Sequence, residues 1–123
     1  MMFEIRQTFY IDSARYLPHL PSSHPCSRVH GHRFQITLIL HGPLTQEGWV
    51  MDYHQIAQTV EPIKQKLDHR LLNEISGLNN PTSEHLAAYI YHEVKAKIPL
   101  LVQVIVKETA ESECRYPSSP VPI

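Results

Sequence analysis

The sequence predicts an α+β domain in which an antiparallel β-sheet carries two helices packed on one of its faces. Three observations lead to this prediction. Long segments near both ends of the chain alternate apolar and polar residues, as half-buried strands do. Two segments between them repeat apolar residues at helical spacing instead. The resulting order, β-β-α-α-β within 123 residues, fits one domain.

Two strands joined by a loop are predicted in the N-terminal third of the chain. The first strand is predicted from Met2 to Ser13, and continued alternation places Arg15 on its apolar face. A loop with three prolines follows from Leu17 to Pro25. The second strand is predicted from Val29 to Leu40 and ends before Gly42-Pro43.

Two helices are predicted in the centre of the chain. The first begins at Asp52, a favourable N-cap residue, and runs to about Leu67. Pro62 lies inside it and is expected to kink it, because proline removes a backbone hydrogen bond. The second helix is capped by Thr82 and ends near Ile98, before a proline.

The last predicted strand runs from Leu100 to Thr109, and its apolar face ends in Glu108. A buried carboxylate is costly without a partner, so Glu108 indicates ligand recognition unless it simply reaches water at the sheet edge. Three prolines from Pro117 onward predict a flexible tail over residues 117–123, which leaves residues 1–116 as the domain. The open edges of so small a sheet predict oligomerisation.

The composition excludes several classes of function. A net charge of −1 gives no reason to expect nucleic acid or an anionic membrane as a partner. No apolar window approaches the 18 residues or so of a membrane span, and the N-terminus lacks the pattern of a signal peptide. Two cysteines are too few for a disulfide scaffold, so a cytoplasmic location is expected.

The segment from Cys26 to His32 is the most informative in the chain. His30 and His32 are two residues apart on a predicted strand, so their imidazoles project to the same face and could hold a metal ion. Cys26 precedes them closely and could act as a nucleophile, a base or a third ligand. A pair of histidines with this spacing also occurs on strands by chance.

Two further groups are candidates for the site. Asp68 can orient His69 and raise its basicity, although adjacent helical residues do not face each other and the link could run through a third group. The alternative is a histidine favoured by the dipole at a helix C-terminus. Thr82 is most simply a helix cap, but a helix N-terminus is also a natural place for ligand contacts.

These segments together resemble the bacterial 6-carboxy-5,6,7,8-tetrahydropterin synthases of the 6-pyruvoyl-tetrahydropterin synthase superfamily. Each segment alone is a weak signal, whereas their order and spacing along nearly the whole chain are specific. The matching stretches are Leu17-Pro18-His19-Leu20-Pro21, Cys26 to His32, Gly48-Trp49-Val50-Met51-Asp52, Leu67-Asp68-His69 with Leu72-Asn73, Asn80-Pro81-Thr82-Ser83-Glu84, and Val106-Lys107-Glu108-Thr109.

The resemblance implies a tunnelling fold, in which trimers close a barrel and two trimers stack into a homohexamer with active sites between subunits. It implies a carbon–oxygen lyase that converts 7,8-dihydroneopterin triphosphate to 6-carboxy-5,6,7,8-tetrahydropterin, acetaldehyde and triphosphate, on the route to queuosine. By the family pattern Cys26 accepts a proton, Asp68 and His69 form a relay, and Glu108 anchors the pterin ring. Zinc on His30 and His32 would acidify the substrate. Thr82 and Arg15 are the further substrate contacts that we predict.

Arg15 is a departure from the family pattern, because it stands where the resemblance places the first zinc-binding histidine. A guanidinium stays protonated and has no lone pair for a metal. Three outcomes are open at this point. Another group, such as His19, His24 or Cys26, completes a rearranged site; zinc binds weakly through two histidines and water; or Arg15 replaces the charge of the metal, with altered activity.

The sequence leaves alternatives to the lyase. One is a pterin-binding protein of the same fold without turnover, because Glu108 is kept while the ligand set is not. Another is the pyruvoyl-tetrahydropterin-forming activity, which also uses a cysteine. A cupin-like metal site is set aside, because no glutamate follows His32 at a distance of four or five residues.

Overall fold

A computed structural model, which describes residues 1–120, contains one four-stranded antiparallel sheet in the order β1-β2-β3-β4. This architecture, with two helices against the sheet, confirms the predicted fold class. The elements in chain order are β1 (Phe3–Arg15), a 3₁₀ turn (Pro25–Ser27), β2 (His30–Gly42), α1 (Tyr53–Leu67), a second 3₁₀ turn (Leu72–Glu74), α2 (Ser83–Lys95), β3 (Leu101–Thr109) and β4 (Ser112–Tyr116).

The core lies between the helices and one face of the sheet. Alternate residues of β1, β2 and β3 point into it, and the predicted apolar stripes of α1 and α2 face them. Fully buried side chains from these elements include Ile11, Phe34, Ile36, Leu38, Ile56, Ile63, Leu86, Ile90 and Val104. The strand alternation and helix periodicity read from the sequence therefore identify the buried faces correctly.

Both helices begin at the predicted caps. The side chain of Asp52 accepts a hydrogen bond from the backbone N–H of His54 at 2.9 Å, and α1 continues through Pro62 to Leu67. Thr82 caps α2 in the same manner. Helix α2 ends at Lys95, three residues before the predicted end. None of the helices within residues 1–120 combines the length and apolar character needed to cross a bilayer.

Strand β4 was not predicted, because its residues are mostly polar and show little alternation. It pairs with β3 as a hairpin and forms the second edge of the sheet. Just beyond it, the side-chain amide of Gln103 donates to the carbonyl oxygens of Pro117 at 2.8 Å and Ser118 at 3.3 Å. The predicted tail thus begins against the sheet, and its last three residues (121–123) lie outside the described part of the chain.

The paired ends of β1 and β2 position the candidate site. Arg15 lies opposite His30, and Ser13 lies opposite His32, so all four side chains project to the same face of the sheet. The segment after α1 covers the outer edge of β1 at this end. The N–H of Ala14 donates to the carbonyl of Arg70 at 2.9 Å, and the N–H of His69 donates to the carbonyl of Asp12 at 2.7 Å.

Candidate active site

Arg15 and Glu108 form an ion pair at the end of the apolar face. Arg15 Nη2 donates to Glu108 Oε1, and Arg15 Nη1 donates to the carbonyl of Pro81 at 3.0 Å. The guanidinium carbon lies 5.2 Å from the centre of the Phe34 ring, within the range of a cation–π interaction. The side chain of Arg15 is only 4% exposed and that of Glu108 is 25% exposed. Glu108 has therefore not simply reached water: it has an internal cationic partner.

The N-terminus of α2 supplies a second partner for Glu108. The hydroxyl of Ser83 donates to Glu108 Oε1 at 2.7 Å. The neighbouring hydroxyl of Thr82 accepts the backbone N–H of His85 at 3.2 Å, as a helix cap does, and keeps its own proton available to donate. The segment Pro81-Thr82-Ser83 thus holds both Arg15 and Glu108 through adjacent residues.

The surroundings keep Glu108 ionised. Burial favours the neutral acid, but the hydrogen bond from Ser83 and the charge and hydrogen bond of Arg15 outweigh it and lower the pKa of Glu108 below its ordinary 4.5. An ionised carboxylate accepts hydrogen bonds only, so this group can bind a ligand edge that carries N–H donors.

His30 and His32 lie side by side, with ring centres 5.2 Å apart and planes nearly perpendicular. His30 Nδ1 lies 2.7 Å from the carbonyl oxygen of Arg28, which can only accept, so Nδ1 carries the proton. In the neutral form of the ring, Nε2 of His30 therefore holds the lone pair. It is buried and has no hydrogen-bond partner among residues 1–120. Burial, reinforced by the charges of Arg15 and His30 and opposed by Glu108, lowers the pKa of His32 below its ordinary 6.5.

Imidazoles are suitable metal donors, but the residues around His30 and His32 do not complete a zinc site. Structural and catalytic zinc sites use at least three protein ligands. Arg15, which offers a proton instead of a lone pair, occupies the position opposite His30. Within residues 1–120, no set of three His, Cys, Asp or Glu donors that contains His30 and His32 lies within 4.8 Å. A three-histidine zinc centre therefore does not fit this chain.

Asp68 and His69 meet directly, so no third group is needed to link them. Helix α1 ends at Leu67, so Asp68 is extended and His69 adopts a left-handed backbone with φ of 57°. This bend allows the adjacent side chains to face each other, and His69 Nδ1 lies 3.1 Å from Asp68 Oδ2. The other oxygen of Asp68 accepts the backbone N–H of Asp12 at 2.8 Å. The pair is thus held against β1 while His69 stays 78% exposed.

The carboxylate of Asp68 is stabilised in its charged form. Burial opposes ionisation, but the hydrogen bonds from the Asp12 backbone and from His69 outweigh it and lower the pKa of Asp68 below its ordinary 3.8. Asp12, Asp68 and His69 also form the one set of three donors within residues 1–120 whose atoms lie within 4.8 Å of one another and could hold a metal ion.

A cleft of about 620 Å³ is lined by residues from two parts of the candidate site. His32 and His69 both line it, together with Asp12 and Arg70, so one imidazole from the sheet and one from the relay share a space. Glu108 borders two smaller depressions instead, one beside Tyr10 and one beside Ser83. In a single chain, the predicted site residues therefore line different depressions of the surface.

Cys26 lies in the first 3₁₀ turn and has a free, partly exposed thiol. Its backbone is fixed, because its N–H donates to His24 Nδ1 at 3.0 Å and its carbonyl accepts from Leu17 at 2.8 Å. Within residues 1–120 its sulfur belongs to no set of three metal donors. Cys26 also does not line the cleft shared by His32 and His69 or the two depressions beside Glu108.

Two contributors to the site were missed in the sequence. Ser83 donates a hydrogen bond to Glu108. The available signal in the sequence was its hydroxyl at the start of α2, next to the predicted cap Thr82. Asp12 was missed because alternation places its side chain on the opposite face from Arg15; it acts mainly through its backbone, for which the sequence has no signal.

Comparison with known proteins places this arrangement in a family. The chain matches the 6-pyruvoyl tetrahydropterin synthase family over residues 4–119. It is 35% identical to a 6-carboxy-5,6,7,8-tetrahydropterin synthase of Synechocystis, over 94% of this chain and 93% of the relative. It is 32% identical to the Bacillus subtilis protein of the same name, over 93% and 84% of the two chains.

Solved structures show the same fold. The 6-pyruvoyl tetrahydropterin synthase of Caenorhabditis elegans superimposes with a TM-score of 0.85 at 21% identity, over 97% of both chains. Both the sequence matches and this superposition extend over nearly the whole chain. The protein therefore belongs to the 6-pyruvoyl tetrahydropterin synthase family.

Proposed function

We propose that this protein is a carbon–oxygen lyase that converts 7,8-dihydroneopterin triphosphate and one water molecule to 6-carboxy-5,6,7,8-tetrahydropterin, acetaldehyde and triphosphate, as a step towards queuosine. The observation that carries the proposal is the similarity, over nearly the full length of each chain, to two relatives named for the 6-carboxy product. The ionised Glu108 and the Asp68–His69 pair give the chain groups suited to that chemistry.

Glu108 is the proposed anchor for the pterin ring. The edge of a pterin carries an amino group and a ring N–H that can donate in parallel to one carboxylate. Glu108 Oε1 is engaged by Arg15 and Ser83, while the side chain remains partly exposed. A bound pterin can thus use the remaining acceptor positions of the carboxylate, with Arg15 and Thr82 as further contacts.

Asp68, His69 and Cys26 are the proposed proton carriers. Asp68 fixes Nδ1 of His69, which leaves Nε2 as the atom that exchanges protons with a ligand or with water. Cys26 is the proposed proton acceptor, and its thiol is accessible. The predicted zinc on His30 and His32 has no role in this proposal, because Arg15 stands where a third ligand is needed.

The proposed assembly is a hexamer made of two trimers, with active sites between subunits. Support comes from the surface of one chain, where His69 lines one cleft, Glu108 lines two other depressions and Cys26 lines none of the three. A neighbouring chain can bring these groups together. Within residues 1–120 the outer edge of β1 has backbone partners only near its end, and β4 is the other edge of the sheet. Open edges of this kind favour pairing with a second chain.

Product analysis tests the proposed reaction. The purified protein is incubated with 7,8-dihydroneopterin triphosphate, pterins are identified by mass spectrometry, and acetaldehyde is measured with a coupled alcohol dehydrogenase. We expect 6-carboxytetrahydropterin and acetaldehyde in equal amounts. Formation of 6-pyruvoyltetrahydropterin without acetaldehyde would assign the pyruvoyl-forming activity instead, and tight pterin binding with no product would identify a binding protein.

A further inference from the structure

Arg15 lies within the predicted metal site itself. It is directly opposite His30 on the neighbouring strand, and Ser13 on the same face is opposite His32. Its guanidinium is buried between the sheet and the start of α2, where Pro81 and Glu108 accept two of its N–H groups. Arg15 is therefore an integral part of the site and not a surface side chain that can swing away.

The charge of Arg15 is permanent and held in place. A guanidinium does not lose its proton in a protein, so Arg15 is a cation. Its three fixing contacts are a backbone carbonyl, a carboxylate and the Phe34 ring, all of which belong to the sheet or to the start of α2. A divalent ion at His30 and His32 would experience repulsion from this charge. The carboxylate of Glu108 is already paired with Arg15, so it is not free to balance the charge of a metal ion as well.

Two atoms in this site lack a partner, and they are chemically complementary. Arg15 Nε carries a proton to donate, and His30 Nε2 carries a lone pair to accept one. Both are buried without a hydrogen-bond partner among residues 1–120, and buried unsatisfied groups of this kind are rare. A hydroxyl group has the chemistry that both atoms require, because it accepts from a donor with one lone pair while it donates its own proton, and the two residues face each other on neighbouring strands.

We propose that the Arg15 guanidinium is the resident cation of this site in place of a divalent metal, and that the chain binds a pterin side-chain hydroxyl between Arg15 and His30 without zinc. This inference rests on the proposed function in so far as the ligand is a pterin. The replacement of a metal by Arg15 is a separate property of the chain.

Zinc titration of the native protein is the first test and needs no pterin. Native protein and three variants, Arg15→His, Arg15→Gln and Arg115→His, are stripped with a chelator, titrated with zinc chloride in a calorimeter and analysed for metal content. We expect no stoichiometric binding by the native protein. Arg15→His should bind one zinc per chain, with affinity higher by on the order of 100-fold or more, because it supplies a third imidazole and removes a cation.

Arg115→His is the matched control, because it adds a histidine on the half-exposed β4 strand, away from His30 and His32. It should bind zinc no better than the native protein. Stoichiometric, tight zinc binding by the native protein that is lost in His30→Ala, and therefore does not come from Asp12, Asp68 and His69, would overturn the proposal. So would failure of a folded Arg15→His variant to bind zinc more tightly, and thermal unfolding of each variant establishes that it is folded.

Pterin binding is the second test. The affinities of neopterin, which carries side-chain hydroxyls, and 6-methylpterin, which has none, are measured by fluorescence with and without chelator. We expect the native preference for neopterin to survive the chelator and to shrink by about tenfold or more in Arg15→Lys and Arg15→Gln. A native preference that requires zinc would overturn the proposal. If no pterin binds, the proposed function and the hydroxyl contact fail, while the zinc titration still decides whether Arg15 replaces the metal.

Discussion

The proposed role of Cys26 rests on the chemistry of its free thiol and not on its position in the fold. Its backbone holds the loop through His24 and Leu17, and its thiol is free. The other cysteine, Cys114, packs against the core from β4, and burial raises the pKa of its thiol. One thiol is thus available to a ligand, while the other is held in the neutral form by its surroundings.

We predict that Cys26→Ala abolishes turnover and leaves pterin affinity largely intact. Loss of a positioned acid or base typically lowers a rate by about 10²–10⁴-fold. Steady-state rates and neopterin affinity are measured for this variant and for Cys114→Ala, which should turn over at a near-native rate. A Cys26→Ala variant with a near-native rate would remove Cys26 from the mechanism.

Glu108→Gln should weaken pterin binding more than folding. An amide cannot accept two parallel N–H donors, so we expect affinity to fall by about tenfold or more. The loss of charge beside the buried Arg15 should also lower the free energy of unfolding, by about 1–3 kcal/mol. Neopterin titration and urea unfolding measure the two effects, and Glu113→Gln on exposed β4 is the control. Unchanged affinity with a collapse of stability would make Glu108 a purely structural group.

The junction between α1 and β1 connects the core to the candidate relay. Asp68 is the C-cap of α1, its carboxylate accepts from the Asp12 backbone, and the backbone of His69 donates to the same residue. The left-handed conformation of His69 is unusual for a residue with a side chain, and these two hydrogen bonds hold it. The Asp68–His69 pair therefore also connects the end of α1 to β1.

Asp68→Asn should lower stability at neutral pH, and the difference from the native protein should disappear in acid. Because the pKa of Asp68 is lowered on folding, its ionised form stabilises the fold above its ordinary 3.8. That contribution is lost as the pH falls through the lowered value. Urea unfolding at fixed protein concentration between about pH 6 and pH 2 measures it. A difference that is constant with pH would show that the charge of Asp68 does not stabilise the fold.

At the scale of elements, the sequence predicts which side chains share a face of the sheet better than it predicts the contacts where one element meets another. Alternation alone placed Arg15, His30 and His32 on one face, and the strand register confirms it. The geometry of the contact between Asp68 and His69 was not predictable, because it requires the backbone to turn just after the predicted end of α1, with His69 in a left-handed conformation. Nor was the Ser83–Glu108 hydrogen bond, which depends on where the start of α2 packs against the end of β3.

At the scale of the whole molecule, the edges of the sheet determine what the chain can assemble. The backbone N–H groups of Asp12 and Ala14 point away from β2, towards the segment after α1. Because β1 and β2 pair without a register shift, the other even-numbered residues of β1, Arg6 among them, must present their N–H groups to the same outer edge. Over residues 3–10 that edge is available to another chain.

We therefore predict that the protein is a hexamer and that its assembly depends on this edge. Light scattering after size exclusion should give about six times the chain mass of 14.2 kDa. Arg6→Pro removes an outward N–H without removing a bond to β2, so it should reduce the mass and the activity together. Arg6→Ala is the matched control and should remain hexameric, because it keeps the N–H. A native protein that is monomeric at every concentration yet fully active would show that one chain holds a complete site, contrary to the separation of Cys26, His69 and Glu108 over its surface.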